Sequence, residues 1–96
     1  MIPPSPRLSL VVPTFKAPQR LRALLRSVAS QAVDASLAEV IVVDDGTPGF
    51  ESAAWERMAG DFALTVVHLE RNGGRAVARN AGIQIARGDI VVFLDG

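Results

Sequence analysis

Four short runs rich in β-branched residues alternate with helical patterns, and this alternation most constrains the fold. We predict strands at residues 8–12, 39–43, 64–69 and 89–94, because each run has the length and composition of a strand. Strands that are apolar almost throughout are typical of parallel sheets covered on both faces. The sequence therefore predicts an α/β protein, a Rossmann-like three-layer sandwich around a mostly parallel four-stranded sheet with right-handed crossovers.

Helical periodicity occupies the intervals between these strands. Residues 19–31 place leucines and valine on one face, and Pro18 suits the first helical position, where an amide would have no partner. Residues 75–87 show a second apolar face, with Gly88 as the expected stop, and residues 51–59 are a weaker candidate. In such a sheet the loops that follow the strands collect at one rim, where ligands bind.

Composition limits the functional classes. Ninety-six residues suit one small domain, with residues 1–7 as a flexible lead-in and residues 8–96 as the folded part. Ten basic and ten acidic side chains cancel without a block of like charge, so we expect no nucleic-acid partner. The chain has no cysteine, which suits a reducing compartment, and no apolar run approaches the roughly 20 residues of a membrane span. We therefore expect a cytoplasmic location, which for the full-length protein includes the inner face of a membrane.

Two adjacent carboxylates, Asp44 and Asp45, stand where the second predicted strand ends, directly before Gly46. Neighbouring residues of an extended chain point in opposite directions. We expect one carboxylate to hold the loop by accepting backbone amides, and the other to face a base or sugar. An ordinary turn is an equally weighted alternative, because aspartate and glycine are common in turns.

The segment Asn-Gly-Gly-Arg at residues 72–75 precedes the third predicted helix. Its glycines permit close backbone approach, a helix N-terminus offers free amides, and a guanidinium group binds phosphate oxygens through two parallel hydrogen bonds. Arg75 and Arg79 lie one helical turn apart, so the segment is a candidate diphosphate contact. Taken alone, so short a motif favours a flexible loop with two solvated arginines.

Two further segments reach the same rim. Pro13 sets the exit of the first strand, and Phe15 has a flat ring that suits a nucleobase. From these residues alone we favour another interpretation, in which Thr14 caps the loop and Phe15 fills the core. Asp95 follows the last apolar run. Beside a second carboxylate it would suit Mg²⁺ or Mn²⁺ bound together with substrate phosphates.

Taken in order, these motifs resemble the start of a family 2 glycosyltransferase, an inverting enzyme with the GT-A fold. They are Val-Val-Pro-Thr-Phe at 11–15, Val-Val-Asp-Asp-Gly at 42–46, Asn-Gly-Gly to Ala-Arg-Asn at 72–80, and Phe-Leu-Asp-Gly at 93–96. The resemblance covers residues 8–96 and implies the N-terminal nucleotide-sugar-binding half of a GT-A domain. Phe15 stands where the family often has tyrosine, and Lys16 where asparagine is common.

The resemblance implies a donor site for a nucleotide sugar such as a UDP-sugar. Pro13, Thr14 and Phe15 would line the nucleoside pocket, and Asp45 would bind the base. Arg75 or Arg79 would lie near the diphosphate. The acceptor is not implied, because the residues that recognise it belong to the second half of such enzymes.

The resemblance also implies a divalent cation, Mg²⁺ or Mn²⁺. Asp95 corresponds to the first aspartate of the family's Asp-x-Asp motif, which contacts the ribose or the metal, and the chain is truncated before the second. The catalytic base, which deprotonates the acceptor hydroxyl, also comes from the second half. No residue here is assigned that role, and we expect the chain to be inactive alone.

Two other classes of function are open. A phosphoacceptor receiver domain has an acidic pair and a phosphorylated aspartate at offsets similar to those of Asp44, Asp45 and Asp95. The strand segment at 8–15 and the segment at 72–80 have no place in that interpretation. The third class is a noncatalytic α/β interaction module that self-associates through an apolar sheet edge or face exposed by truncation.

Overall fold

Strands and helices alternate along the chain in the computed structural model, which describes residues 6–31, 37–60 and 62–94. The elements are β1 (Leu8–Thr14), α1 (Pro18–Ser30), β2 (Ala38–Asp44), α2 (Ser52–Glu56), β3 (Ala63–His68), α3 (Arg75–Ile85) and β4 (Ile90–Phe93). A single 3₁₀ turn, Arg57–Ala59, continues α2. Each predicted strand and helix is therefore present, and α1 begins at Pro18 as expected.

The strands form one parallel sheet in the order β3-β2-β1-β4. The pairing of β1 with β2 runs as far as Thr14 opposite Asp44, and Asp44 in turn lies opposite His68 of β3. These three residues consequently stand side by side at the carboxyl end of the sheet. The predicted α/β fold with a four-stranded parallel sheet is confirmed.

Alternate residues of the central strands face two separate cores. Val11 and Ile41 are buried with Ala78 of α3 on one face. Val12 and Val42 are buried on the other face with Leu21, Leu25 and Val28 of α1 and with Phe62 and Val66. Helices thus cover both faces of the sheet, and each large apolar side chain so buried contributes about 1.5–3 kcal/mol.

Two boundaries differ from the sequence prediction. β1 continues through Pro13, whose missing amide is tolerated because the pairing of β4 with β1 already ends at Val11. α3 ends at Ile85 rather than at Gly88, since Ala86 has extended backbone angles. Gly88 instead lies against β1, where its amide donates to Ser9 Oγ at 2.9 Å.

The start of the chain joins the sheet earlier than expected. Residues 1–5 of the predicted flexible lead-in lie outside the described residues. The Arg7 amide donates to the Leu37 carbonyl at 3.0 Å, and the Arg7 carbonyl accepts the Ile90 amide at 3.0 Å. Arg7 is therefore part of the fold. In the described part of the chain, no helix has both the length and the apolar character that crossing a membrane requires.

Candidate functional site

A cleft of about 380 Å³ opens at the carboxyl ends of β1 and β2, beside the start of α3. The structure brings five of the predicted nucleotide-binding residues together in its lining: Pro13, Thr14, Phe15, Asp45 and Arg75. They come from three separate segments, at the ends of β1 and β2 and at the start of α3, and the parallel sheet brings these segments to the same rim. This is the place where ligands bind in open α/β sheets.

The Asp45 carboxylate joins the end of β2 to the loop that precedes α3, and both line the cleft. Its Oδ1 accepts the Gly73 amide at 2.8 Å, and its Oδ2 accepts the Gly74 amide at 2.9 Å. The residue is 5% exposed, and both hydrogen bonds are partly shielded from water. Each carboxylate oxygen has a second lone pair, and Asp45 therefore retains the capacity to accept a donor from a ligand in the cleft.

Asp44 is 1% exposed and points away from Asp45 into a second set of hydrogen bonds. Its Oδ2 accepts the Thr47 amide at 2.8 Å and lies 2.9 Å from His68 Nδ1, and its Oδ1 accepts the Thr47 hydroxyl at 2.7 Å. Asp44 holds its own loop, as expected of one of the two carboxylates, whereas Asp45 lines the cleft and also accepts two backbone amides. Asp44 supports the β2–α2 loop, and Asp45 supports the β3–α3 loop.

Gly46 allows these two loops to touch. Its φ of +81° lies in the left-handed region, and a Cβ there would come within 2.5 Å of the Arg71 carbonyl carbon and the Asn72 nitrogen. Any other residue would both strain this backbone and push Asn72 outward. Since Asn72 lines the cleft, the close approach that this glycine permits contributes to the shape of the site.

Phe15 lines the cleft with 39% of its surface exposed. The interpretation of Phe15 as a core residue, which the residues alone favoured, is therefore wrong. The ammonium of Lys16 lies 5.2 Å from the centre of its ring. α1 has Ala17 as its N-cap and no capping side chain, and a capping role of Thr14 in the loop stays a prediction. The exposed ring is a surface on which a flat base can stack.

The two arginines of α3 have different surroundings. Arg75 is exposed and lines the cleft. The Arg79 guanidinium carbon lies 5.3 Å from the centre of the Phe93 ring, on the side of β4. The glycine amides that the sequence suggested were free are bonded to Asp45. Arg75 is therefore the arginine of α3 that the structure puts at the cleft, and a contact between Arg79 and phosphate stays a prediction.

Two cleft residues had no role in the sequence analysis. Asn72 had been noted only as part of a loop, and Arg20 only as part of a helix, yet both line the cleft. A usable signal existed for Arg20. Helices that follow strands of a parallel sheet begin at the ligand-binding rim, so a cation in the first turn of α1 lies near any anion bound there.

Three stacked rings lie on the opposite face of the sheet. The Phe50 ring centre is 5.5 Å from that of His68 and 6.1 Å from that of Trp55, with near-parallel planes. Phe50 and Trp55 line a second cavity of about 350 Å³, which shares Thr14 and Ala17 with the cleft. This stack was not predicted, because His68 lies beside Phe50 only once β3 has paired with β2.

The described residues do not by themselves form a site for a divalent cation. No group of three or more histidine, cysteine, aspartate or glutamate side chains within residues 6–31, 37–60 and 62–94 is arranged to hold a metal. The carboxylates of Asp44 and Asp45 are engaged by protein donors instead. Asp95, the predicted metal ligand, lies outside the described residues.

Comparisons with known proteins agree with this geometry. The family model described as glycosyl transferase family 2 matches residues 9–96. Dodecaprenyl-phosphate galacturonate synthase of Rhizobium johnstonii is 38% identical, over 93% of this chain and 27% of that protein. The chain spans between 16% and 30% of the length of the curated relatives it matches.

Solved structures show the same fold. Residues 1–349 of TarS from Staphylococcus aureus, in complex with UDP, align with a TM-score of 0.82 and 33% identity, over 93% of this chain and 27% of that one. A mannosyltransferase from Pyrobaculum calidifontis, in complex with GDP-Man and Mn²⁺, aligns with a TM-score of 0.82 and 31% identity, over 98% of this chain and 29% of that one. The parallel sheet is thus part of a GT-A fold, and the chain belongs to glycosyl transferase family 2.

Proposed function

We propose that the cleft binds the nucleoside diphosphate of a nucleotide-sugar donor. The chain would then serve as the donor-binding part of an inverting, metal-assisted glycosyltransferase that transfers the sugar to an acceptor hydroxyl. The observation that carries this proposal is the meeting of Phe15, Asp45 and Arg75 in one cleft. They supply a flat ring, a hydrogen-bond acceptor and a phosphate-binding cation.

The chemistry of the cleft suits an anionic ligand with a flat base. The ring of Phe15 stacks on the base, the remaining lone pairs of Asp45 accept its N–H group, and Arg75 binds the diphosphate. Arg20 adds a second cation. The charge of Asp45 is partly offset by the two amides it accepts, so the cleft favours a ligand of negative charge.

The relatives support this ligand class. TarS structures hold UDP and UDP-GlcNAc, and the Pyrobaculum mannosyltransferase structure holds GDP-Man and Mn²⁺. We choose UDP as the probe for this chain because two of these complexes contain uridine nucleotides. The binding of Mg²⁺ or Mn²⁺ by Asp95 stays a prediction. A cytoplasmic location, including the inner face of a membrane, likewise stays a prediction.

The hypothesis of a receiver domain is rejected, because the glycosyl transferase family 2 model matches residues 9–96. Self-association stays a secondary proposal. It is supported by β4, which pairs only with β1 among the described strands. Ile90 of that strand is 54% exposed and Val92 38% exposed.

The test of nucleotide binding is a calorimetric titration of the chain with UDP in the presence of Mn²⁺. We expect Arg75→Ala to weaken binding about tenfold, because it removes one charge-assisted contact to phosphate. Arg26→Ala is the matched control, because Arg26 is an exposed helical arginine outside the cleft. Absence of UDP binding by the unaltered chain, or equal loss in both variants, would contradict the proposal.

A further inference from the structure

The β1–α1 loop forms one wall of the cleft in a backbone conformation that needs support. Lys16 has a φ of +50°, which side chains with a Cβ rarely adopt. Its neighbours Phe15 and Ala17 both line the cleft. A left-handed residue of this kind costs about 1–2 kcal/mol and persists only where surrounding contacts hold it. The position of Phe15 therefore depends on what holds Lys16.

The Thr47 hydroxyl holds Lys16 in this conformation. Lys16 donates its amide to Thr47 Oγ1 at 2.9 Å, and the same hydroxyl donates its proton to Asp44 Oδ1 at 2.7 Å. An ionised carboxylate only accepts, so the single hydroxyl proton points toward Asp44 and a lone pair of Oγ1 is left for Lys16. The buried carboxylate thus sets the direction of the hydrogen bond that supports the loop.

Thr47 is itself held in place. Its amide donates to Asp44 Oδ2 at 2.8 Å, so backbone and side chain of Thr47 are both fixed by one carboxylate. The same Oδ2 of Asp44 also lies 2.9 Å from His68 Nδ1, whose ring stacks on Phe50. Neither Asp44 nor Thr47 lines the donor cleft. Their effect on a ligand there must pass through the loop.

We propose that Thr47 is a positioning residue for the donor cleft. Its hydroxyl is fixed by a hydrogen bond to buried Asp44 and accepts the Lys16 amide. This pair of hydrogen bonds keeps Phe15 where a base can stack on it. The consequence for binding rests on the proposed nucleotide function, whereas the fixing of the loop does not. Two separate measurements therefore test the two parts.

The first measurement is UDP affinity in three variants. Thr47→Val replaces the hydroxyl by a methyl group of similar shape, and we expect it to weaken binding about threefold to tenfold, as for the loss of one hydrogen bond. Thr47→Ser retains a hydroxyl and is expected to bind within about twofold of the unaltered chain. Thr65→Val is the matched control, because Thr65 is an exposed residue of β3 outside the cleft.

The second measurement is amide hydrogen exchange by NMR, which needs no ligand. In Thr47→Val the Lys16 amide is expected to exchange about tenfold faster, because it loses its acceptor. The Leu21 amide, which donates to the Ala17 carbonyl at 3.1 Å within α1, is expected to keep its rate. General destabilisation would accelerate both amides together.

Each outcome decides the proposal. Selective exchange at Lys16 together with rescue by Thr47→Ser supports it. It is overturned if Lys16 exchanges at an unchanged rate, if both amides accelerate equally, or if UDP binds equally well to the unaltered chain and Thr47→Val. If the unaltered chain binds no UDP, the nucleotide function fails, and the exchange at Lys16 alone decides the role of Thr47. Thr47→Ala supplies the same test if the valine variant does not fold.

Discussion

The Asp45 carboxylate accepts the amide of Gly74 at 2.9 Å, which fastens the end of β2 to the start of α3. Gly74 is the N-cap of that helix and has a φ of +94°. A carboxylate in this position satisfies an otherwise unpaired amide and also interacts favourably with the helix dipole. Arg75 follows directly, so its position in the cleft depends on Asp45.

Removal of the Asp45 carboxylate is expected to affect stability as well as binding. Asp45→Ala leaves the Gly73 and Gly74 amides without acceptors and should lower the free energy of unfolding by about 2–4 kcal/mol. Asp45→Asn keeps one acceptor oxygen and should cost less. Urea denaturation measures both, with exposed Asp89→Ala as the control. Equal UDP affinity of the unaltered chain and Asp45→Ala would contradict a role for Asp45 in the donor site.

Gly82 is expected to resist replacement although it lies inside a helix. Alanine is normally favoured there by about 1 kcal/mol, but a Cβ on Gly82 would come within 2.4 Å of Val11 Cγ1 in the core. We expect Gly82→Ala to destabilise the fold by about 1–3 kcal/mol through overpacking. Exposed Gln84→Ala on the same helix is the control for propensity. A thermal midpoint that rises in Gly82→Ala would show that α3 moves freely away from β1.

Replacing Glu39 is expected to cost much more stability than replacing Arg87, although the two residues form an ion pair. Glu39 is 5% exposed, and its Oε2 accepts the Ser9 hydroxyl and the Arg87 amide, each at 2.7 Å. Its removal as Glu39→Ala leaves buried donors unpaired and should cost about 2–4 kcal/mol. The Arg87 side chain is 62% exposed, and its Nε lies 3.6 Å from Glu39 Oε1, which is a long and solvent-screened ion pair. Arg87→Ala should therefore lower the free energy of unfolding by less than about 1 kcal/mol. Equal losses of unfolding free energy in Glu39→Ala and Arg87→Ala, measured by urea denaturation, would contradict this expectation.

The chain is expected to be catalytically inactive by itself. Among the described residues, Asp45 is the one carboxylate that lines the cleft, and both of its oxygens accept backbone amides. It is therefore a weak candidate for the base that deprotonates an acceptor hydroxyl. Incubation of the purified chain with a radiolabelled UDP-sugar and simple alcohols should yield no glycoside. Any transfer above that of a heat-denatured sample would refute this expectation.

Self-association through β4 is expected at high concentration. Ile90, Val92 and Phe93 of this edge strand are at least one third exposed, and uncovered apolar strands of this kind pair with one another. Sedimentation velocity should show an increase in mean mass with concentration that Ile90→Lys reduces. Thr65→Lys introduces the same charge on β3 as a control. A clean monomer at high concentration would contradict the prediction.

The sheet was predictable because parallel strands are marked by continuous apolar runs, and helices by their apolar face. Residues such as Pro13 and Phe15 could be placed at the rim on strand order alone. The role of Asp44 could not, because its partner His68 becomes a neighbour only when β2 and β3 pair. The interpretation of Phe15 as a core residue was wrong for the same reason, since burial depends on what the loop packs against.

What the sequence determined by itself was the order of strands and helices, the rim at which the motifs collect, and a family resemblance that the comparisons confirmed. The tertiary structure decided which atoms meet. It directed Asp44 and Asp45 into different loops, placed Arg75 rather than Arg79 at the cleft, and joined Thr47 to Lys16. Periodicity is a local property of the chain, whereas these hydrogen bonds join residues up to 31 positions apart and exist only after the sheet has formed.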